Sequence, residues 1–123
     1  MAYSILLVDD DADSREIVAR LLEADGYHVE TVPHGAAALD LLARRSYDVI
    51  LSDMRMPQVT GEALYRRIER GWPHLAPRVV FMTAGRPSRR FHEQYGARVP
   101  VLSKPFTRDQ LRQVIASAIA RVA

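Results

Sequence analysis

The constraint that acts first on this chain is a set of short apolar runs, each ending abruptly in a polar residue. Ser4-Ile5-Leu6-Leu7-Val8 is followed by Asp9-Asp10-Asp11. Val49-Ile50-Leu51-Ser52 is followed by Asp53, and Val79-Val80-Phe81-Met82 by Thr83. Val99-Pro100-Val101-Leu102 is followed by Ser103-Lys104-Pro105. None of these runs alternates polar with apolar, so each reads as a strand covered on both faces, as in a parallel sheet. Tyr27 to Val32 does alternate, with His28 and Glu30 turned outward, and reads as an outer strand.

Helical periodicity fills the intervals. Ile17, Val18, Leu21 and Leu22 share a face, and Gly26 stops that helix. Ala36 to Arg45 follows Gly35, and Leu64, Tyr65 and Ile68 mark a helix that ends at Gly71. Trp72 packs under a connector containing Pro73 and Pro77. Ser88 to Tyr95 is a short helix polar enough to be mobile. The last helix is capped by Thr107 and carries Leu111, Val114, Ile115, Ala118, Ile119 and Val122 on one face. Five strands alternating with five helices predict a three-layer α/β sandwich around one parallel sheet, with the whole of residues 1–123 as one domain.

Composition narrows the class of partner. The chain has no cysteine, hence no disulfide or thiolate metal site, and no apolar run near the ~20 residues a membrane span needs. With no basic patch ahead of a long apolar run, no secretory signal is read, and the expected location is the cytoplasm, away from any membrane. Residues 1–62 carry 12 acids against 5 Lys/Arg, and residues 63–123 carry 3 acids against 12 Lys/Arg. The arginines are spread singly along helix faces without an aromatic stripe, so no direct nucleic-acid binding is expected. His28, His34, His74 and His92 lack metal spacing and read as surface residues. Asp11 and Asp13 read as helix-start acids.

In one parallel sheet the polar residues at the strand ends converge on one rim: Asp9, Asp10, Asp53, Thr83 and Lys104. Carboxylates brought together repel one another. A divalent oxygen-ligated cation resolves this, Mg²⁺ above all with Mn²⁺ as the alternative. A cation, an ammonium and a hydroxyl around a carboxylate make a cradle for a tetrahedral anion. The chemistry that fits is phosphoryl transfer onto Asp53, giving an aspartyl phosphate.

Four motifs then carry a resemblance that spans essentially the whole chain. They are Ile5-Leu6-Leu7-Val8-Asp9-Asp10-Asp11, Val49 to Pro57 with Gly61, Val80-Phe81-Met82-Thr83-Ala84, and Ser103-Lys104-Pro105-Phe106. Together they resemble the receiver domain of two-component response regulators. The resemblance implies a flavodoxin-like fold with strand order 2-1-3-4-5. It implies that Asp53 accepts phosphate from a sensor histidine kinase or a histidine phosphotransfer protein, as a signalling step and not as an enzyme acting on a substrate. It implies Mg²⁺ on Asp10, Asp53 and the Arg55 backbone carbonyl, with Asp9 acting largely through a water. Thr83, with Ala84 beside it, and Lys104 contact the phosphoryl oxygens. Pro57 and Gly61 shape the loop, and the Lys104–Pro105 bond is cis.

The chain departs from this family's pattern in two places. Val101 stands where many receivers have a Tyr or Phe whose rotation couples to the Thr. The segment from Gly85 to Leu102 is closer to receivers attached to hybrid histidine kinases. Phosphorylation is expected to repack the 86–122 face and change binding to an output protein or a second copy of the chain. The alternative is a non-switching interaction module with the same fold.

Overall fold

The computed structural model describes residues 2–56, 58–85 and 89–121. Five strands, β1 (Ser4–Val8), β2 (His28–Val32), β3 (Val49–Asp53), β4 (Val79–Thr83) and β5 (Val101–Ser103), form one parallel sheet. Its order is the flavodoxin-like β2-β1-β3-β4-β5. The helices are α1 (Ala12–Ala24), α2 (Gly35–Leu42), α3 (Gly61–Gly71), α4 (Arg89–Tyr95) and α5 (Arg108–Ala120), with a 3₁₀ turn at Ala76–Arg78.

The uninterrupted apolar strands bury both faces, and side-chain alternation divides them between two cores. Ile5, Leu7, Val49, Leu51, Val80 and Met82 pack under Val18 and Leu22 of α1 and Leu111 and Ile115 of α5. Leu6, Val8, Ile50, Val79 and Phe81 face the opposite way, toward α2, α3 and α4. Helices on both faces make three layers. The β1–β3 register pairs Val8 with Ser52, and β3–β4 pairs Asp53 with Met82. Thr83 in turn pairs with Ser103. The carboxyl ends of the central strands therefore finish at one level.

Local signals account for most element boundaries. Asp11 caps α1, its Oδ1 accepting from Asp13 N, and Thr107 with Gln110 forms a reciprocal capping box at α5. His34 is exposed as expected, but it also caps α2 through Nδ1, which accepts from Ala37 N at 3.1 Å. Gly26, at φ 92°, lets the chain turn out of α1.

Tertiary context shifts four expectations. The fifth strand begins at Val101, not Val99. Pro100 has no N–H to give a ladder, and Val99 N is already bonded to Tyr95 O. Helix α2 ends at Leu42, and the residues up to Arg45 close it as a turn on Leu41 O. Ile17 belongs to the apolar face of α1 by spacing, yet it is 61% exposed because the helix turns that edge away from the sheet. Helix α4, expected to be polar and loosely held, is anchored instead by two buried aromatics four residues apart, Phe91 and Tyr95. Phe91 packs edge-on to Phe81, and Tyr95 edge-on to Tyr65. The expected helix residue Ser88, and Val122 of α5, lie outside the described residues, as does Pro57.

Candidate functional site

The site is built where β1, β3, β4 and β5 end, on the last residues of β3 and β4 and the first beyond β1 and β5. Asp9 follows β1 directly and is fully buried. Its backbone N donates to Val32 O at 3.2 Å, its Oδ1 accepts from Asp11 N at 3.0 Å, and its carbonyl accepts from Arg15 Nη1 at 2.7 Å. Asp10, next to it, is exposed. Asp53 ends β3 half-buried, with Oδ1 accepting from Arg55 N at 3.3 Å. A carboxylate oxygen from each of Asp9, Asp10 and Asp53 lies within 4.8 Å of the other two.

On the other side stands Lys104, the first residue after β5. Its backbone N donates to Thr83 O at 2.7 Å, locking the β5 exit to the end of β4. Its Nζ lies 3.5 Å from Asp9 Oδ2, 3.7 Å from Asp53 Oδ2 and 3.4 Å from Ser14 Oγ. The Lys104–Pro105 peptide bond is cis. Thr83 is buried at the end of β4, its Oγ1 accepting from Gly85 N at 3.4 Å, and Ala84 beside it is exposed. Gly61, at the start of α3, backs the site: its N–H donates to Met54 O at 3.1 Å, and it sits against the Asp53 carbonyl and the Phe81 ring.

The donor set tests what the site would hold. Three carboxylates face one ammonium, so the rim carries excess negative charge. Asp9 Oδ2 is buried and has no hydrogen-bond partner among the described residues, and the ammonium that it shares with Asp53 stands off at 3.5 Å. A buried carboxylate oxygen left in that state is costly unless a cation meets it. Hard oxygen donors suit Mg²⁺ or Mn²⁺, so the residues present fit such an ion.

The same geometry raises the Asp53 carboxyl above the ordinary carboxylate range. Burial is the largest cause, and the Asp9 and Asp10 charges add to it, while Lys104 and the Arg55 N–H oppose it. A folded-state value above the unfolded one means that ionised Asp53 destabilises the fold at neutral pH. That penalty is relieved as pH falls through the folded value toward the ordinary carboxylate range. Asp53→Asn is therefore expected to raise the metal-free melting temperature at pH 7 by a few degrees. The gain shrinks as pH is lowered toward 4. Thermal melts in chelator across that range check both the sign and the trend.

This arrangement matches a known one. The family model for the response regulator receiver domain matches residues 5–116. The chain belongs to the receiver domain family. It is 34% identical to the response regulator protein FleR of Pseudomonas aeruginosa over 117 residues, covering 94% of this chain and 24% of FleR. The receiver thus spans about a quarter of that relative's length. Among solved structures it is similar to a response regulator receiver domain protein from Clostridium thermocellum. There the TM-score is 0.86 at 30% identity, covering 97% of this chain and 94% of that one. It is also similar to the receiver domain of the sensor histidine kinase PA1611 from Pseudomonas aeruginosa, whose structure has a magnesium ion coordinated in the active site cleft. That TM-score is 0.84 at 27% identity, covering 98% of this chain and all of that one.

Of the residues singled out from sequence, Asp9, Asp10, Asp53, Thr83 and Lys104 lie at the one rim of this receiver, with Gly61 behind it. Val101 is partly buried against the α2–α4 core. Two groups at the rim were not singled out: Arg15, which clasps the Asp9 carbonyl, and Ser14, which meets Lys104. Ser14 had a signal, since it stands on the stripe of Val18 and Leu21. No helix among the described residues is long and apolar enough to cross a membrane.

Proposed function

We propose that this receiver accepts a phosphoryl group on Asp53 from a phosphohistidine, on a sensor histidine kinase or a histidine phosphotransfer protein in the cytoplasm. The observation that carries the reading is the meeting of Asp9, Asp10 and Asp53 within 4.8 Å, with the Lys104 ammonium facing them. The Asp53 carboxylate oxygen attacks phosphorus, an O–P bond forms, and the N–P bond of the donor breaks. The imidazole leaves with the electron pair and takes a proton from solvent. Lys104 and the Thr83 hydroxyl meet the phosphoryl oxygens as charge shifts onto them, and Ala84 flanks them.

Asp10, Asp53 and the Arg55 carbonyl would hold Mg²⁺, with Mn²⁺ as a substitute and Asp9 acting through a water. When bound there, the ion would neutralise charge on the transferred group. The magnesium in the PA1611 receiver supports this assignment, since the acids here suit the same ion. Burial of Asp53 helps because it keeps water from the mixed anhydride, and Gly61 keeps the β3–α3 loop close behind it.

Phosphorylation adds charge at the rim. It draws Thr83 inward and alters the 86–122 face, which meets an output protein or a second copy of the chain. DNA is not contacted directly. The test is intact mass after incubation with Mg²⁺ and acetyl phosphate. Wild type is expected to gain one phosphoryl group and Asp53→Asn none. No gain on wild type, or an equal gain on both, would sink the reading. Val101 favours a second reading, a non-switching interaction module, because a valine cannot rotate between buried and exposed positions as an aromatic ring does. That reading expects partner capture to be the same with and without phosphorylation.

A further inference from the structure

The first turn of α1 carries a residue that packing does not explain. Ser14 stands four and seven positions before Val18 and Leu21, on the stripe that α1 turns toward its apolar surroundings. With Ile17, Phe106 and Pro105 it lines a groove of about 460 Å³ beside Lys104. An apolar side chain at 14 would extend both the stripe and the groove wall. Nor is Ser14 a cap, because Asp11 already fills that role. The side-chain hydroxyl lies instead 3.4 Å from Lys104 Nζ.

We propose that Ser14 is a positioning residue for phosphoryl transfer, its hydroxyl holding the Lys104 ammonium off the rim carboxylates and ready for the incoming phosphoryl oxygens. The proposal rests on the phosphoacceptor reading of Asp53. An ammonium donates in three directions. Here those directions are Ser14 Oγ, Asp9 Oδ2 and Asp53 Oδ2, at 3.4, 3.5 and 3.7 Å. All three distances exceed the ~2.7–2.9 Å of a closed charge-assisted hydrogen bond, so the ammonium is poised between the hydroxyl and the two acids and has collapsed onto neither acid.

The hydroxyl can hold it there because its own backbone is fixed. Ser14 N is turned toward Asp11 Oδ1 at 3.4 Å, and Arg15 Nη1 ties the same turn to the Asp9 carbonyl at 2.7 Å. Without the hydroxyl, the ammonium moves onto Asp9 and Asp53. In that position it competes with a cation for their oxygens, and it must be drawn off again before it can meet a phosphoryl group.

The experiment compares wild type, Ser14→Ala and Ser14→Thr in two measurements: Mg²⁺ affinity from melting-temperature titration, and the initial rate of phosphoryl uptake from acetyl phosphate. Ser14→Ala is expected to weaken Mg²⁺ binding roughly two- to five-fold and to slow uptake roughly three- to ten-fold. Its metal-free melting temperature should stay close to that of wild type. Ser14→Thr, which keeps a hydroxyl on the same carbon, restores both. Wild-type behaviour in Ser14→Ala, or a Ser14→Thr no better than Ser14→Ala, overturns the proposal while leaving the phosphoacceptor reading intact. A wild-type protein that binds Mg²⁺ yet takes up no phosphoryl group overturns the parent reading, and this proposal with it.

Discussion

Gly61→Ala is expected to destabilise the receiver by about 2–3 kcal/mol, far more than a single methyl added to a helix start would cost on an exposed surface. A Cβ at 61 would lie 2.8 Å from the Asp53 carbonyl oxygen, 2.8 Å from Met54 Cα and 2.9 Å from the Phe81 ring. Two of those neighbours are backbone. Asp53 and Met54 cannot retreat, because Met54 N is bonded to Met82 O at 2.8 Å in the sheet. Phe81 is fully buried and packed edge-on against both Tyr65 and Phe91. The strain therefore falls on the backbone that carries Asp53. Gly71→Ala is the matched control: it sits in the last turn of the same helix with nothing within 4 Å of its Cβ. That change should be neutral or stabilise by about 0.5 kcal/mol. Urea unfolding of the two variants beside wild type checks the contrast. Equal midpoints would mean that the β3–α3 loop is looser than its contacts imply.

The strands and the rim were legible in the sequence for one physical reason. A parallel sheet sends every strand the same way, so polar residues that end apolar runs must gather at one edge. Asp9, Asp53, Thr83 and Lys104 needed no side-chain geometry to be placed together. What was not legible depended on contacts between distant segments. Val99 looks like a strand residue until Tyr95 O takes its N–H. Helix α4 looks polar by count, because Arg89, Arg90, His92, Glu93 and Gln94 outnumber the two aromatics that anchor it. Those aromatics matter because Tyr65, Phe81, Phe91 and Tyr95 form one packed group between α3, β4 and α4, edge-on in three pairs and tilted between Phe91 and Tyr95. The Tyr95 hydroxyl also accepts from Arg66 Nε at 3.1 Å. Phe81 lies two residues before Thr83, so α4 is packed against the strand that carries the Thr83 hydroxyl even though residue 101 is a valine. Ser14 was overlooked because a serine in a first helical turn is unremarkable until the residue ninety positions later is seen beside it.

Lys104→Ala is expected to separate two properties that a general loss of structure would move together. The ammonium faces Asp9 and Asp53 at the rim, so removing it takes away the charge proposed to meet the transferred oxygens. Phosphoryl uptake from acetyl phosphate should fall by roughly 10²–10³-fold, the range for losing one preorganised donor. Mg²⁺ binding should move the other way. Lys104 Nζ, at 3.5 and 3.7 Å from Asp9 and Asp53, would compete with an ion for the same carboxylates. Its removal leaves more negative charge at the site and should tighten Mg²⁺ several-fold, roughly ten-fold at low salt and less as salt screens the rim. The metal-free variant should melt below wild type, since the crowded carboxylates lose their counter-charge, and saturating Mg²⁺ should recover much of that loss. Lys104→Arg keeps the charge but presents a planar fork in place of a compact ammonium, so it should restore metal-free stability better than uptake. Melting-temperature titrations and intact mass on the same preparations decide the matter. If Lys104→Ala weakens Mg²⁺ binding, or takes up phosphate at the wild-type rate, the lysine is not the counter-charge and phosphoryl contact assigned to it.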